Sequence, residues 1–162
     1  MTDITTSIPQ AVANPDVAAG TAQFLSPVVV DLTAIVVNGK QAHWHVRGSN
    51  FIGVHELLDT VVDHAQEYAD TAAERVVALG LPIDARIQTV AEKTGTTAMP
   101  AGFQKSDTMI QAIIGQIDVA LAVVNKAVTE LGEIDPSSQD VAIEIARGLD
   151  KDRWFLFAHI SE

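Results

Sequence analysis

The sequence contains no cysteine among its 162 residues, and only 5% of its residues are aromatic. Without cysteine the chain has no disulfide, no thiolate zinc site and no cysteine nucleophile. Carboxylates and the five histidines are therefore the side chains left for metal binding. The lack of disulfides also agrees with a cytoplasmic location. A chain of this length with 48% hydrophobic residues fits one domain with a substantial core.

Basic residues are scarce, and they are scattered along the chain. The formal net charge is -11, and residues 1–39 contain neither lysine nor arginine. Proteins that bind nucleic acids gain affinity from clustered basic residues that neutralise phosphates. The charge pattern therefore disfavours DNA as a partner and suits small cations better.

We expect no secretion signal, and the sequence contains no long uninterrupted apolar run. Its first twenty residues have no basic start followed by an apolar stretch. The most apolar segment, residues 24–37, is broken by Ser26, Pro27 and Asp31. It falls short of the roughly 20 apolar residues that a membrane helix needs, so we expect no membrane association.

Helical periodicity predicts a flexible tail at residues 1–20 and one folded domain at residues 21–162. Apolar residues recur at helical spacing in four segments: 21–46, 52–79, 106–131 and 136–159. Pro27 is expected in the early turns of the first helix, where proline is tolerated.

Breaker residues and cap residues set the expected helix ends. Ser106 is predicted to cap the third helix, and Asp135 followed by proline is predicted to start the fourth. The connection 81–105 is rich in proline and glycine and has one short periodic piece, residues 85–91. An all-α four-helix bundle, with a long crossover that carries a short helix between helices two and three, is the ferritin-like arrangement.

Polar side chains share one side of the second predicted helix. With His55 as zero, Asp59 lies at about 40° around the helix axis. Asp70 and Glu74 follow at about 60° and about 100°. The apolar residues occupy roughly 200° to 340°, so the polar arc is predicted to point away from the subunit's own core.

The polar arc holds two pairs of potential metal ligands, which lie too far apart to share one ion. The pairs are His55 with Asp59 and Asp70 with Glu74, each too small for a firm site. Asp59 and Asp70 are separated by roughly 16 Å of helical rise. An antiparallel second copy of the helix would bring the two kinds of pair together. Two equivalent sites about 20 Å apart would result.

His43 precedes the turn between the first two helices and can add a further ligand. Mixed histidine and carboxylate ligands suit ferrous iron. Trp44 is placed to line the same pocket and intercept reactive by-products. From the spacing alone, an ordinary solvated helix face is the commoner explanation of this pattern, because charged helix surfaces are usually only hydrated.

Other candidate residues are interpreted as structural. No ligand partner lies at suitable spacing from the remaining histidines, which are His45, His64 and His159. Core packing, rather than cofactor binding, is expected for the aromatic cluster Trp154, Phe155 and Phe157.

Residues 42–80, AHWHVRGSNFIGVHELLDTVVDHAQEYADTAAERVVALG, resemble the signature of the Dps family. These are dodecameric mini-ferritins named for DNA-binding proteins from starved cells. The resemblance includes both histidine-bearing segments and the Asp-x-x-x-Glu-Arg pattern that ends at Arg75.

The resemblance implies a ferroxidase centre between two-fold-related subunits. Its ligands would be His43, His55 and Asp59 from one chain, with Asp70 and Glu74 from the other. It further implies twelve subunits around a hollow core and oxidation of ferrous iron, preferably by hydrogen peroxide, with storage of the ferric mineral. Ordinary ferritins use Glu-x-x-His motifs inside one bundle, and the sequence contains none.

The sequence departs from the DNA-coating members of that family, which often carry a lysine-rich flexible terminus. The N-terminal tail here has neither lysine nor arginine. Little DNA binding is therefore expected at physiological salt. Asp135 and Asp140, at the start of the fourth helix, are candidates for lining iron-uptake pores at a three-fold axis.

Two other functions compete with iron oxidation. A metal-dependent hydrolase can use the same histidine and carboxylate ligands to activate water. A purely structural or DNA-compacting assembly would not depend on those ligands, and the acidic charge disfavours it.

Overall fold

The computed structural model describes residues 13–161 of the chain. Within them the elements are α1 Pro15–His45, β1 Val46–Arg47, α2 Phe51–Ala78, α3 Ile87–Lys93, β2 Gln104–Lys105, α4 Ser106–Leu131 and α5 Pro136–Ala158. The four long helices α1, α2, α4 and α5 pack as a bundle, and α3 lies in the crossover between α2 and α4. The predicted all-α fold with its helical crossover is therefore confirmed.

Helix α1 begins six residues before the predicted start at residue 21. Asn14 accepts a hydrogen bond of 2.8 Å from the backbone nitrogen of Asp16, and Pro15 occupies the first helical position. These are favourable start signals, so the expected tail boundary at residue 20 is wrong. Pro27 consequently lies in the helix interior, not in its early turns. Residues 1–12 of the expected tail lie outside the described residues.

The crossover between α2 and α4 is held against α1. The buried carboxylate of Asp31 accepts hydrogen bonds from the Thr94 hydroxyl at 2.8 Å and from the Gly95 backbone nitrogen at 2.9 Å. The short helix occupies residues 87–93, two residues later than expected. Asp31, which interrupts an apolar segment in the sequence, thus fixes a long connection to the bundle.

A short parallel ladder, absent from the sequence-based prediction, joins the turn after α1 to the end of the crossover. Val46 pairs with Gln104, and Arg47 pairs with Lys105. The predicted capping role of Ser106 is wrong, because this buried residue is the first of α4 and its hydroxyl donates instead to the Arg47 and Ser49 carbonyls. The ladder and these bonds anchor the turn that follows α1.

The core consists of aliphatic side chains, and the expected aromatic contribution to it is wrong. Trp154 is 64% exposed, Phe155 39% and Phe157 50%. The core positions of this part of α5 are Leu149 and Leu156, seven residues apart on one face. Trp154 and Phe155 precede Leu156 and Phe157 follows it, so all three lie off the core-facing side of the helix.

A half-buried histidine and a buried carboxylate link α2 to α5. The Nδ1 atom of His64 lies 2.8 Å from one carboxylate oxygen of Asp152 and 3.1 Å from the other. Burial raises the pKa of the Asp152 carboxyl, and the hydrogen bond from His64 opposes part of that rise. His64 thus has a structural partner that lies 88 residues away in the sequence.

Helices α1 and α4 are long and apolar enough to cross a membrane by length and composition. Half of the most apolar window of each helix is buried against the rest of the bundle. Buried residues of α1 such as Leu25 and Leu32 belong to the same core cluster as Ile113 and Ile117 of α4. The apolar character of both helices is therefore accounted for by the bundle core.

Two glycines within helices provide a matched test of how closely α5 packs against α2. A Cβ atom at Gly148 would lie 1.9 Å from the Tyr68 hydroxyl oxygen, whereas one at Gly115 would meet nothing within 4 Å. We expect Gly148→Ala to lower the free energy of unfolding by about 1–2 kcal/mol through overpacking. Gly115→Ala should raise it by about 0.5–1 kcal/mol through helix propensity. Thermal unfolding of the metal-free protein measures the stability change of each variant. Equal shifts for the two variants would contradict the close contact between Gly148 and Tyr68.

Candidate metal centre

The candidate centre lies at the corner where α1 ends and α2 begins. His43 is on the last turn of α1 and is buried, while His55 is on the second turn of α2. One turn before His43, Gly39 brings the two helices close together, since a Cβ there would lie 2.5 Å from a methyl group of Val62. The approach of the helices places the two imidazoles side by side.

Each imidazole is bonded to the backbone of the other residue. The Nδ1 atom of His43 lies 2.8 Å from the His55 carbonyl oxygen, and that of His55 lies 3.0 Å from the His43 carbonyl oxygen. A carbonyl only accepts, so each Nδ1 carries the proton and donates. In the neutral rings the Nε2 lone pairs are therefore left for another partner, which is the tautomer that metal-binding histidines normally have.

The two rings are also stacked, with centroids 3.6 Å apart and planes inclined by 23°. Stacking and the paired hydrogen bonds fix the orientation of both rings before any ligand arrives. Such preorganisation favours binding, because little side-chain freedom remains to be lost.

Asp59 completes the part of the candidate centre that one chain supplies. It follows His55 by one helical turn, and its Oδ1 atom lies 3.9 Å from the His43 Nδ1. A hydrogen bond from the Lys40 ammonium to the same oxygen holds the pKa of Asp59 below its usual range. The carboxylate is therefore ionised at neutral pH, as a metal ligand must be.

Asp70 and Glu74 lie farther along α2 and do not join the other three residues within one chain. Helix α2 is continuous from Phe51 to Ala78, so roughly 16 Å of helical rise separates Asp59 from Asp70. Both Asp70 and Glu74 are exposed. Over residues 13–161, no group of three or more histidine and acidic side chains is arranged to hold a metal ion on its own.

Sequence reasoning missed Lys40, which contacts the centre directly. A lysine three residues before His43 lies on the same side of a helix, and this spacing was the available signal. Trp44, the neighbour of His43, is 64% exposed and borders a groove together with Lys40. The remaining histidines have other partners: His45 bonds to the Gln41 carbonyl, and His159 bonds to Asn50.

The sequence and the fold both match known proteins. The ferritin-like domain family matches residues 23–162. The chain is 38% identical over 135 residues to the DNA protection during starvation protein of Agrobacterium fabrum, covering 83% of this chain and 82% of the relative. It is 33% identical over 126 residues to the protein of the same name from Mycolicibacterium smegmatis, covering 75% of this chain and 66% of the relative.

A solved structure agrees with these relatives. Dps from Microbacterium arborescens in its high iron form is 64% identical to the chain and superposes with a TM-score of 0.91. The match covers 94% of this chain and 99% of that one. The chain belongs to the Dps family of ferritin-like proteins. Membership in the Dps family supports iron sequestration of the mini-ferritin kind as its general function.

In this Dps chain, Asp135 has a structural role at the start of α5. It accepts hydrogen bonds from the Ser138 backbone nitrogen at 3.1 Å and from the Arg75 guanidinium at 2.6 Å. Burial alone would raise the pKa of Asp135, but the bonds from Ser138 and Arg75 outweigh it and lower the pKa below its ordinary value. The Asp135 carboxylate therefore caps α5 and ties it to α2, whereas Asp140 is exposed.

The lowered pKa of Asp135 predicts a pH-dependent contribution to stability. The contribution is present above the ordinary pKa of 3.8 and is lost as the pH falls through the lower folded-state value. Asp135→Asn keeps a capping acceptor but loses the charge, so it should cost about 1–2 kcal/mol at pH 7. This difference from the parent should shrink below pH 3.8 in unfolding curves recorded across the acid range.

The exposed Asp140 supplies the control, because among the described residues it forms no ion pair. Asp140→Asn should change stability by less than about 0.5 kcal/mol at every pH. A constant deficit of Asp135→Asn from pH 7 into the acid range would show that the charge of Asp135 has no part in stabilising the fold.

Proposed function

We propose that this Dps chain is a cytoplasmic ferroxidase that oxidises ferrous iron at sites shared between two-fold-related subunits. The paired hydrogen bonds between His43 and His55 carry this proposal. They leave a free Nε2 lone pair on each imidazole, and the ring of His43 lies near the ionised Asp59. Neutral imidazoles and a carboxylate are ligands that suit ferrous iron.

A second copy of the chain would complete the ligand set. Asp70 and Glu74 are exposed on α2 and lie too far from Asp59 to complete a site within one chain. If an antiparallel α2 crosses near His64 and Ala65, the Asp70 and Glu74 of one copy meet the His55 and Asp59 of the other. Two equivalent sites per dimer follow, and a dodecamer built from such dimers would enclose the stored mineral.

Iron is the substrate in this scheme, and hydrogen peroxide is the proposed oxidant. Two ferrous ions each lose one electron, and one peroxide takes up both electrons with two protons to give two waters. The carboxylates supply the negative charge that favours the ferric product. Consuming peroxide in this two-electron way avoids free hydroxyl radicals and so would protect against oxidative damage.

Two further roles belong to this proposal. Trp44 borders the groove beside the centre and would intercept oxidising by-products. Asp140 would help line a pore through which iron reaches the shell interior. Asp135, the other pore candidate, already accepts hydrogen bonds from Arg75 and Ser138. It would therefore attract iron through its negative charge and not as a direct ligand.

The first test mixes the protein with ferrous iron and peroxide. The parent should form a soluble ferric core, followed by absorbance and by iron that co-elutes with the assembled protein. Asp59→Asn and Glu74→Gln should each slow oxidation by at least about tenfold, because each removes one ligand from a small set. Glu130→Gln, which alters an exposed carboxylate of α4, is the matched control and should oxidise iron normally.

Sharing of the site between chains can be tested by mixing the two inactive variants in one shell. A dimer of an Asp59→Asn chain with a Glu74→Gln chain has one site with both changes and one with neither. Random mixing should restore about a quarter of the parent's sites. A mixed shell as inactive as either variant would place the whole site within one chain and overturn the shared arrangement.

DNA binding is expected to be weak. The chain has a net charge of -11 and no lysine or arginine in residues 1–39, so it offers phosphates little attraction. Plasmid DNA should run unretarded on a gel at moderate salt without divalent metal. The same protein with an added lysine-rich N-terminal segment should retard it, whereas retardation by the parent would contradict the expectation.

A further inference from the structure

Lys40 is the one basic residue in contact with the candidate centre among the described residues. Its ammonium pairs with the Oδ1 atom of Asp59, which lies 3.9 Å from the Nδ1 of His43. The pair joins α1 to α2 immediately beside the two stacked imidazoles. A protein cation therefore contacts an oxygen that the proposed function assigns to iron.

The surroundings leave the ammonium free to move away. The side chain of Lys40 is 36% exposed and that of Asp59 is 43% exposed. Lys40 also borders a groove of about 450 Å³, whose other lining residues include Trp44, Ala98 and Met99. An exposed ion pair of this kind is weak, so Asp59 can exchange the Lys40 ammonium for another cation.

Charge counting gives a reason for such an exchange. The proposed ligand set has three carboxylates. If the two ferrous ions that one peroxide oxidises bind at the same site, they bring more positive charge than these carboxylates can balance. With both ions present, the ammonium would be a surplus positive charge beside them. Without metal, it neutralises Asp59 and keeps that carboxylate oriented towards the histidines.

We propose that Lys40 is a displaceable counter-ion, which holds Asp59 in the metal-free site and lowers the site's affinity by competing with the metal for Asp59. The inference rests on the proposed shared metal site. It assigns to Lys40 a role as a positioning and affinity-determining residue.

The test is a titration of the assembled, metal-free protein with Co²⁺, followed by isothermal calorimetry and by the visible absorption of the bound ion. Lys40→Met should bind Co²⁺ about tenfold more tightly than the parent, because the competing cation is gone. Lys40→Arg keeps the charge and should stay close to the parent. Lys126→Met, at an exposed lysine of α4 that forms no ion pair among the described residues, is the matched control and should have no effect.

A second pair of variants ties the effect to Asp59. In an Asp59→Asn background, Lys40→Met should no longer change the Co²⁺ affinity, because the contested carboxylate is absent. Thermal unfolding checks the same coupling without iron chemistry: Co²⁺ should raise the midpoint of Lys40→Met more than that of the parent.

The outcomes separate the two proposals. If the parent binds Co²⁺ and Lys40→Met binds it equally or more weakly, Lys40 is not a competitor and this inference is overturned, while the shared site stands. If neither the parent nor Lys40→Met binds Co²⁺, the metal site itself is wrong and both proposals fall.

Discussion

The paired hydrogen bonds between His43 and His55 are the interaction on which the candidate centre depends. They join the last turn of α1 to the first turns of α2, and they use the ring Nδ1 atoms for structure. Because each bond donates to a backbone carbonyl, the ring orientation follows the main chain and not a flexible side chain. The same contacts that close the helix corner therefore leave both Nε2 atoms free to bind metal.

The rest of the bundle keeps this corner rigid. The parallel ladder of Val46 with Gln104 and the hydroxyl of Ser106 hold the turn after α1. Asp31 fixes the crossover against α1 from inside the bundle. A corner supported on both sides holds the two histidines in contact through protein interactions alone, as the proposed metal site would need.

The exposed features of one chain are those that a shared site requires. Within residues 13–161, Asp70 and Glu74 belong to no metal-binding group of their own chain, and the aromatic residues near the end of α5 are exposed. A chain that sequestered iron alone would have to bring its carboxylates inward, as the Glu-x-x-His ferritins do. Here Asp70 and Glu74 are exposed, as the proposed division of the ligands between copies requires.

Much of the fold follows from local sequence signals. The periodicity of α2, the stop at Gly80 and the start at Asp135 and Pro136 depend on residues close in sequence, and each prediction was confirmed to within a residue. The histidine and carboxylate arc of α2 could be derived in the same way, because a helix fixes the angle between neighbouring residues. The start of α1 was misplaced because the Asn14 cap gives only a weak signal without hydrophobic periodicity.

Only the tertiary structure decided which residues meet across elements. The bonds between His43 and His55, the pairing of Lys40 with Asp59 and that of His64 with Asp152 all join different helices. The packing also decided that the α5 aromatics face outward, since Leu149 and Leu156 already fill the core. Sequence periodicity fixes the face on which a side chain lies, but what that face meets depends on how the helices pack.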